Sequence, residues 1–527
     1  RGSVMSIEVA VPKRLSAIEL GVFGSRIEAV CDEMGATLKR AAFSPNIKDR
    51  LDYSCAVFDA DGQLCAQAAH IPVHLGSMAY AMAGIIATID WCDGDMIVVN
   101  DPYLGGTHLP DVTLISPIFD ANKQQLLGFV ANRAHHANIG SDSPGSMPIS
   151  ASLEEEGLII APTLIQQRGK TLAAVLSRLS GNDAESHGDF SAQISANTAG
   201  VMRLSELITG LGVQRFFSAL QQLNDYGERL ARAALQDIPD GCYRFSDVMD
   251  DDGLGNKDIP IVVAINVVAG DVRVNFSGTS AQVAGNINCP LSVAAAGVYY
   301  VFRCLMPAQT PACAGSFRPI SLYAPEGSLL NSRRPAAVAA GNVETSTRVV
   351  DVILGALAQA IPDRIPAASH GSMNNIAMGA RASNGSAAWN YYETIGGGMG
   401  ASVKGSGLSA LQTHMTNTLN TPVESLESHF PLRVHRYEIR HGSGGAGAFN
   451  GGDGLLREFE FTANAQATLL TERRLHRPWG LRQGLPASPG HNRLNGTTLP
   501  PKCSLNLKAG DRLCIETPGG GGWGKKG

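Results

Sequence analysis

The stretch Met96-Ile97-Val98-Val99-Asn100-Asp101-Pro102-Tyr103-Leu104-Gly105-Gly106-Thr107-His108-Leu109-Pro110-Asp111-Val112-Thr113-Leu114-Ile115 holds two short, β-branched apolar runs around a loop of turn residues. The runs 96–99 and 112–115 have the length and composition of buried strands. Asn-Asp-Pro and Gly-Gly punctuate turns. Pro110 stiffens the backbone between His108 and Asp111 and opposes a helix through them. The pair therefore belongs to a loop that leaves a rigid core and returns to it. An imidazole nitrogen and a carboxylate oxygen converging on one point suit a divalent cation. A lone His-x-x-Asp is equally what a capped turn looks like, so the pair needs company.

Company follows a third strand-like run, Leu126 to Val130, in Asn132-Arg133-Ala134-His135-His136-Ala137-Asn138. The chain has only 13 histidines, so two in a row are unusual. On extended backbone His135 and His136 point to opposite sides. One can face a site, while the other packs or orients it.

The segment Asn100–Asp111 together with Arg133-Ala-His-His136 resembles the hydantoinase B/oxoprolinase family. Its members are subunits or domains of ATP-dependent 5-oxoprolinases, N-methylhydantoinases and lactamases, with acetone and acetophenone carboxylases as relatives. The resemblance runs along nearly the whole chain. It implies a hydrolase subunit that opens a cyclic amide, with ATP phosphorylating the amide oxygen in a hydantoinase A-type partner. It further implies a divalent ion, Zn²⁺ by preference or Mn²⁺, held by Asp52, His108, Asp111 and His136. His108, Asp111 and His136 would then be the catalytic residues. Asp52 comes from an Asp-aromatic-Ser motif, and Asp49 is its rival. The expected assembly is two copies of each subunit in the cytoplasm. Two other readings remain: a subunit of an ATP-dependent ketone carboxylase, and a metal-free scaffold subunit. The scaffold reading is prompted by Asn138, where relatives usually carry Asp; Ser141 stands where they usually carry Gly.

Composition narrows the class. The 527 residues are 44% hydrophobic and 17% charged, which marks a globular chain with room for two or three domains. A net charge of −5 gives no electrostatic case for nucleic acid. Ten cysteines without a Cys-x-x-Cys spacing suggest reduced, buried thiols. No apolar run approaches a membrane span, and no signal peptide is read. Arg1-Gly2-Ser3 ahead of Met5 has the look of an expression-tag remnant.

In chain order, Leu15 to Phe43 has helical periodicity, and Cys55–Phe58 is a strand before an Asp59–Gly62 turn. Pro72 between His70 and His74 argues against a shared helix face, so these two are expected to line the pocket or hold the metal loop. Glu156 is a further candidate. Ser191 to Gln236 is largely helical and stops at Pro239-Asp240-Gly241. Strands 259–268 and 272–276 follow, then a helix 294–305. Asn342 and Glu344 are pocket candidates, and Thr345 or Ser346 reads as the N-cap of a helix Val349–Ala360. Gly396-Gly397-Gly398 lacks the Lys and Ser/Thr of a phosphate-binding loop, which favours tight backbone geometry. The expected fold is mixed α/β (α+β), a multi-layer globule. After the remnant at 1–4, residues 5–240 carry the metal, and 241–527 form a β-rich, glycine-rich scaffold.

Overall fold

The computed structural model describes residues 14–68, 71–181, 183–382 and 388–526. The remnant at 1–4 and His70 lie outside them. The fold is mixed α/β, with four β-sheets among the described residues. The sheet that carries the site is built from β1 (Tyr53–Asp59), β2 (Leu64–Gln67), β3 (Met96–Val99), β4 (Asp111–Phe119), β5 (Leu126–His135), β6 (Thr163–Gln167) and β7 (Lys170–Thr171). Their order across the sheet is β2-β1-β5-β4-β3-β6-β7, all antiparallel.

Both faces of this sheet are buried, which is why its strands read as continuous apolar runs. Tyr53, Cys55, Val57, Val130 and Ala134 pack under the helices Ala17–Ala41, Ala184–Leu211 and Val213–Leu235. Ala56, Phe58, Ile115, Phe129 and Ala131 pack on the opposite face, against Met78, Met82 and Ile85 of the helix Pro72–Ile86. Alternate residues along each strand thus serve different layers.

The first helix starts with a capping box, in which Ser16 accepts from Glu19 and Glu19 returns to the Ser16 amide. Gly212 separates the two long helices that sequence reads as one helical stretch. Pro72 does not break a helix: it is the first helical residue, where its missing N–H costs nothing. Nor is there an N-cap at Thr345 or Ser346. The backbone winds continuously from Gly341 through a π-turn into the helix Ser346–Leu357, and neither side chain caps it. No described helix is long and apolar enough to cross a membrane.

The glycine-rich segments pack on one another. A Cβ at Gly398 would stand 1.9 Å from the Gly452 oxygen and 2.4 Å from the Gly520 nitrogen. The triple glycine is therefore taken up by backbone-to-backbone contact. Gly398→Ala should cost about 3 kcal/mol or more by overpacking. By contrast Gly21, helical and with nothing within 4 Å of a built Cβ, should gain about 0.5–1 kcal/mol as Ala. Urea unfolding of the two variants checks both signs.

Candidate metal centre

The loop ahead of β4 is fixed by its own polar residues. Asn100 is fully buried; its amide donates to the Leu109 carbonyl at 2.8 Å and the Leu158 carbonyl at 2.9 Å, and its oxygen accepts from the Ile160 amide at 2.7 Å. Asp101 caps the 3₁₀ turn Pro102–Leu104, which ends at Gly105 with φ 100°. At Gly106 a Cβ would meet the Asn100 oxygen at 2.5 Å, so the double glycine is required by close approach and by handedness. The chain then delivers His108 and Asp111 into the core with no exposed surface.

The antiparallel pairing of β4 with β5 sets Asp111 directly opposite His135. Across the other edge of β5, the His135 amide donates to the Asp52 carbonyl at 3.0 Å. His108, Asp111 and His135 form the one group of three or more His, Cys, Asp or Glu, among the described residues, whose ligand atoms all lie within 4.8 Å of one another. His136, expected among the ligands, faces the other layer. Its Nε2 lies 2.9 Å from the Gln193 oxygen and its ring packs on Phe190 at 4.4 Å. The structure brings His135 to the site in its place.

His74 is the residue that sequence reading undervalued. On the first turn of the helix Pro72–Ile86, its Nε2 sits 3.1 Å from Asp111 Oδ1 and 3.8 Å from Asp52 Oδ1. Its Nδ1 is 3.4 Å from the Ser54 hydroxyl. Asp52 is therefore one step out, between His74 and the fully buried Arg50, whose guanidinium is 3.8 Å away. Asp49 is half-buried and lines a surface pocket with Lys48, Asn138 and Asp183, away from this centre. Asn138 shapes a turn, accepting from the Gly140 amide and the Ser146 hydroxyl, and orients no ligand histidine.

Residues from beyond 240 complete the site. Asn342 donates to Asp111 Oδ2 at 3.2 Å, and Thr107 also donates to that oxygen. The Ala339 carbonyl lies 3.2 Å from His108 Nδ1. Glu156 acts through that segment: its Oε1 accepts from the amides of Val338 and Ala339, both at 2.9 Å. Glu344 accepts from the Met373 amide at 3.0 Å and does not touch the three-residue group.

Burial dominates the electrostatics. It would drive His108 down, but the charge of Asp111 leaves His108 above its ordinary value. Burial likewise opposes ionisation of Asp111, yet His74 and His108 hold it well below the usual carboxylate range. His135 is pushed well below its ordinary value by burial and by the charges around it. Burial raises Asp52 against the pull of Arg50 and His74, raises Glu156 to about 7, and raises Glu344 to about 8.

The donor set fits a divalent ion. His108 Nε2, Asp111 Oδ1 and His135 Nε2 are all buried without a hydrogen-bond partner, and unpaired buried polar atoms are costly. With His108 Nδ1–H given to the Ala339 carbonyl, its Nε2 presents a lone pair. For His135 to do the same, Nδ1 must carry the proton and the Asn46 side chain, 3.2 Å away, must turn its amide oxygen toward it.

With this geometry in view, comparison with known proteins is informative. The family model described as Hydantoinase B/oxoprolinase matches residues 16–526. The chain belongs to the hydantoinase B/oxoprolinase family. It is 38% identical to an uncharacterized protein of Methanocaldococcus jannaschii, covering 97% of this chain and 91% of that one. It is 37% identical to 5-oxoprolinase 1 of Arabidopsis thaliana over 96% of this chain, but spans only 42% of that protein's length. Its fold matches the crystal structure of the ATP-dependent caprolactamase from Pseudomonas jessenii with a TM-score of 0.89 at 27% identity, covering 97% of this chain and 92% of that one.

Two adjacent histidines now separate cleanly. His135→Ala should reduce bound divalent metal to a trace. His136→Ala should keep the metal and lose about 2–4 kcal/mol of stability through the cavity left against Phe190. Metal analysis of the purified variants beside urea titrations decides between them.

Proposed function

We propose that this chain is the ring-opening subunit of an ATP-dependent cyclic-amide hydrolase. The observation that carries the reading is the convergence of three unpartnered ligand atoms, from His108, Asp111 and His135, within this family's fold. The printed activities of the relatives, 5-oxoprolinase and caprolactamase, are both openings of a lactam ring. The chain spans less than half of the plant 5-oxoprolinase, which supports a separate provider of the remaining function. That provider is a hydantoinase A-type subunit, which spends ATP to phosphorylate the amide oxygen. Two copies of each subunit form the simplest closed assembly. Ten unpaired cysteines suit a reducing compartment such as the cytoplasm.

Amide resonance makes the ring carbon a poor electrophile, and phosphorylation of its oxygen removes that protection. Water then adds to the carbon, the C–N bond breaks, and the nitrogen leaves as an amine; carboxylate and inorganic phosphate are the other products. His108, Asp111 and His135 would hold the ion, with His74 and Asp52 behind them. Two imidazoles and a carboxylate suit Zn²⁺ or Mn²⁺. The ion, when bound, lowers the pKa of a coordinated water and stabilises developing negative charge.

The chain's own residues do the rest. Ala339 fixes the tautomer of His108. Thr107 and Asn342 occupy Asp111 Oδ2 and leave Oδ1 free. His74, spanning Asp111 and Asp52, stands where a proton from the attacking water is accepted. Asn138, the reason for considering a decayed scaffold, bonds only within its own turn.

Purified chain alone should show neither ATPase nor lactamase activity. Mixed with the A-type subunit, it should couple ATP hydrolysis to opening of 5-oxoproline, a hydantoin or a larger lactam. Chelation, or His108→Ala, should lower the rate at least about 10³-fold, with activity restored to the chelated enzyme by Zn²⁺ or Mn²⁺. Coupled ring opening by the chain alone would refute the division of labour. ATP turnover dependent on acetone and bicarbonate, without lactam opening, would replace hydrolysis by ketone carboxylation.

A further inference from the structure

Tyr392 is gripped on three sides beside the candidate metal centre. Its ring stacks on His135, with centroids 4.4 Å apart and planes 14° from parallel. The Arg50 guanidinium lies 4.6 Å from the ring centroid and donates to the Tyr392 carbonyl at 3.0 Å. The Asn375 amide donates to the Tyr392 hydroxyl at 2.7 Å. The residue is buried, and β-pairing of strand Trp389–Glu393 with strand Asn375–Ala380 holds it from behind.

The hydroxyl has received one hydrogen bond and spent none. Among the described residues no acceptor takes its proton. The adjacent Tyr391 differs: its hydroxyl donates to Glu393 Oε2 at 2.5 Å, and Glu393 is in turn gripped by Arg457 through bonds of 2.7 and 2.9 Å. Tyr103 likewise donates to the Ala336 carbonyl at 2.7 Å. Tyr392 alone of these three keeps its proton in hand. Burial and the nearby charges of Asp52, Asp111 and Glu344, offset in part by Arg50, keep its phenol protonated well above neutrality. Two of those acids, Asp52 and Asp111, belong to the centre just described.

We propose that the Tyr392 hydroxyl is a catalytic hydrogen-bond donor, directed at the substrate atom that gains negative charge as water adds to the ring carbon. This rests on the ring-opening reading above. Addition of water forms a C–O bond and moves an electron pair onto the neighbouring atom. In an amide phosphorylated on oxygen that atom is the ring nitrogen; in an unmodified amide it is the carbonyl oxygen. Tyr392 shares its proton with that atom and does not surrender it, so no group needs reprotonation. Asn375 and the His135 stack fix the donor before the reaction, and a fixed donor in a dry site stabilises charge without reorganising.

Tyr392→Phe keeps the ring and removes only the hydroxyl. In the complex of this chain with its A-type partner, the expected result is a kcat lower by roughly 10²-fold, KM changed less than about threefold, and metal content unchanged. Full kcat in Tyr392→Phe overturns the inference, and so does loss of metal, which would make the hydroxyl a support of the ion site. If Tyr392→Phe does not fold, Asn375→Ala decides: freeing the hydroxyl to turn should lower kcat about tenfold at constant metal content, and no change overturns the inference. Failure of the wild-type complex to open any ring is a different outcome. It removes the ring-opening reading itself, and the role of Tyr392 with it.

Discussion

The register between β4 and β5 is the constraint on which the site depends. Antiparallel pairing sets Asp111 opposite His135, so their side chains share one face of the sheet. A slip of one residue would turn every side chain of β5 to the other layer. His136 would then face the loop, and His135 would sit against the helix Ala184–Leu211. What prevents the slip is that both faces are committed. Asn132 and His136 bond into that helix through Gln193, while Arg133 reaches Ser77 at 2.6 Å and Thr113 at 2.8 Å on the opposite side.

Concentrating Arg50, Asp52, His74, His108, Asp111 and His135 in the core opposes folding unless their charges compensate. They do so in a chain: Arg50 to Asp52, Asp52 to His74, His74 to Asp111, Asp111 to His108. The chain still leaves three atoms without partners, all turned to one point. A network built only for stability would close on itself. An open one marks a place where the protein keeps a cost that a ligand relieves.

The glycine-rich remainder supplies more than a platform. Ala339, Asn342 and Tyr392 come from three separate segments, and each touches a residue of the centre. The site therefore draws on both sides of the change in character near residue 240. The interlocked glycines at 398, 452 and 520 bring backbones together where any side chain would hold them apart. The buried Glu393–Arg457 pair anchors the strand that carries Tyr392.

Much was legible in the sequence because it is written in local pattern. The strands at 96–99, 112–115 and 126–130, the opening helix and the loop carrying His108 and Asp111 follow from apolar runs, turn residues and Pro110. The family's long motif on that loop is likewise local, and so is Asn342. What sequence left open was which member of a pair faces inward. His135 or His136 is a question of strand parity relative to two buried faces, and both faces are apolar, so alternation gave no sign. His74 was discounted because Pro72 was read as a helix breaker, when a proline at the first helical position starts one. Tyr392 and the Ala339 carbonyl reach the centre across more than 200 residues of chain. Their roles arise from packing between distant segments, which no local spacing records; only the tertiary structure decides them.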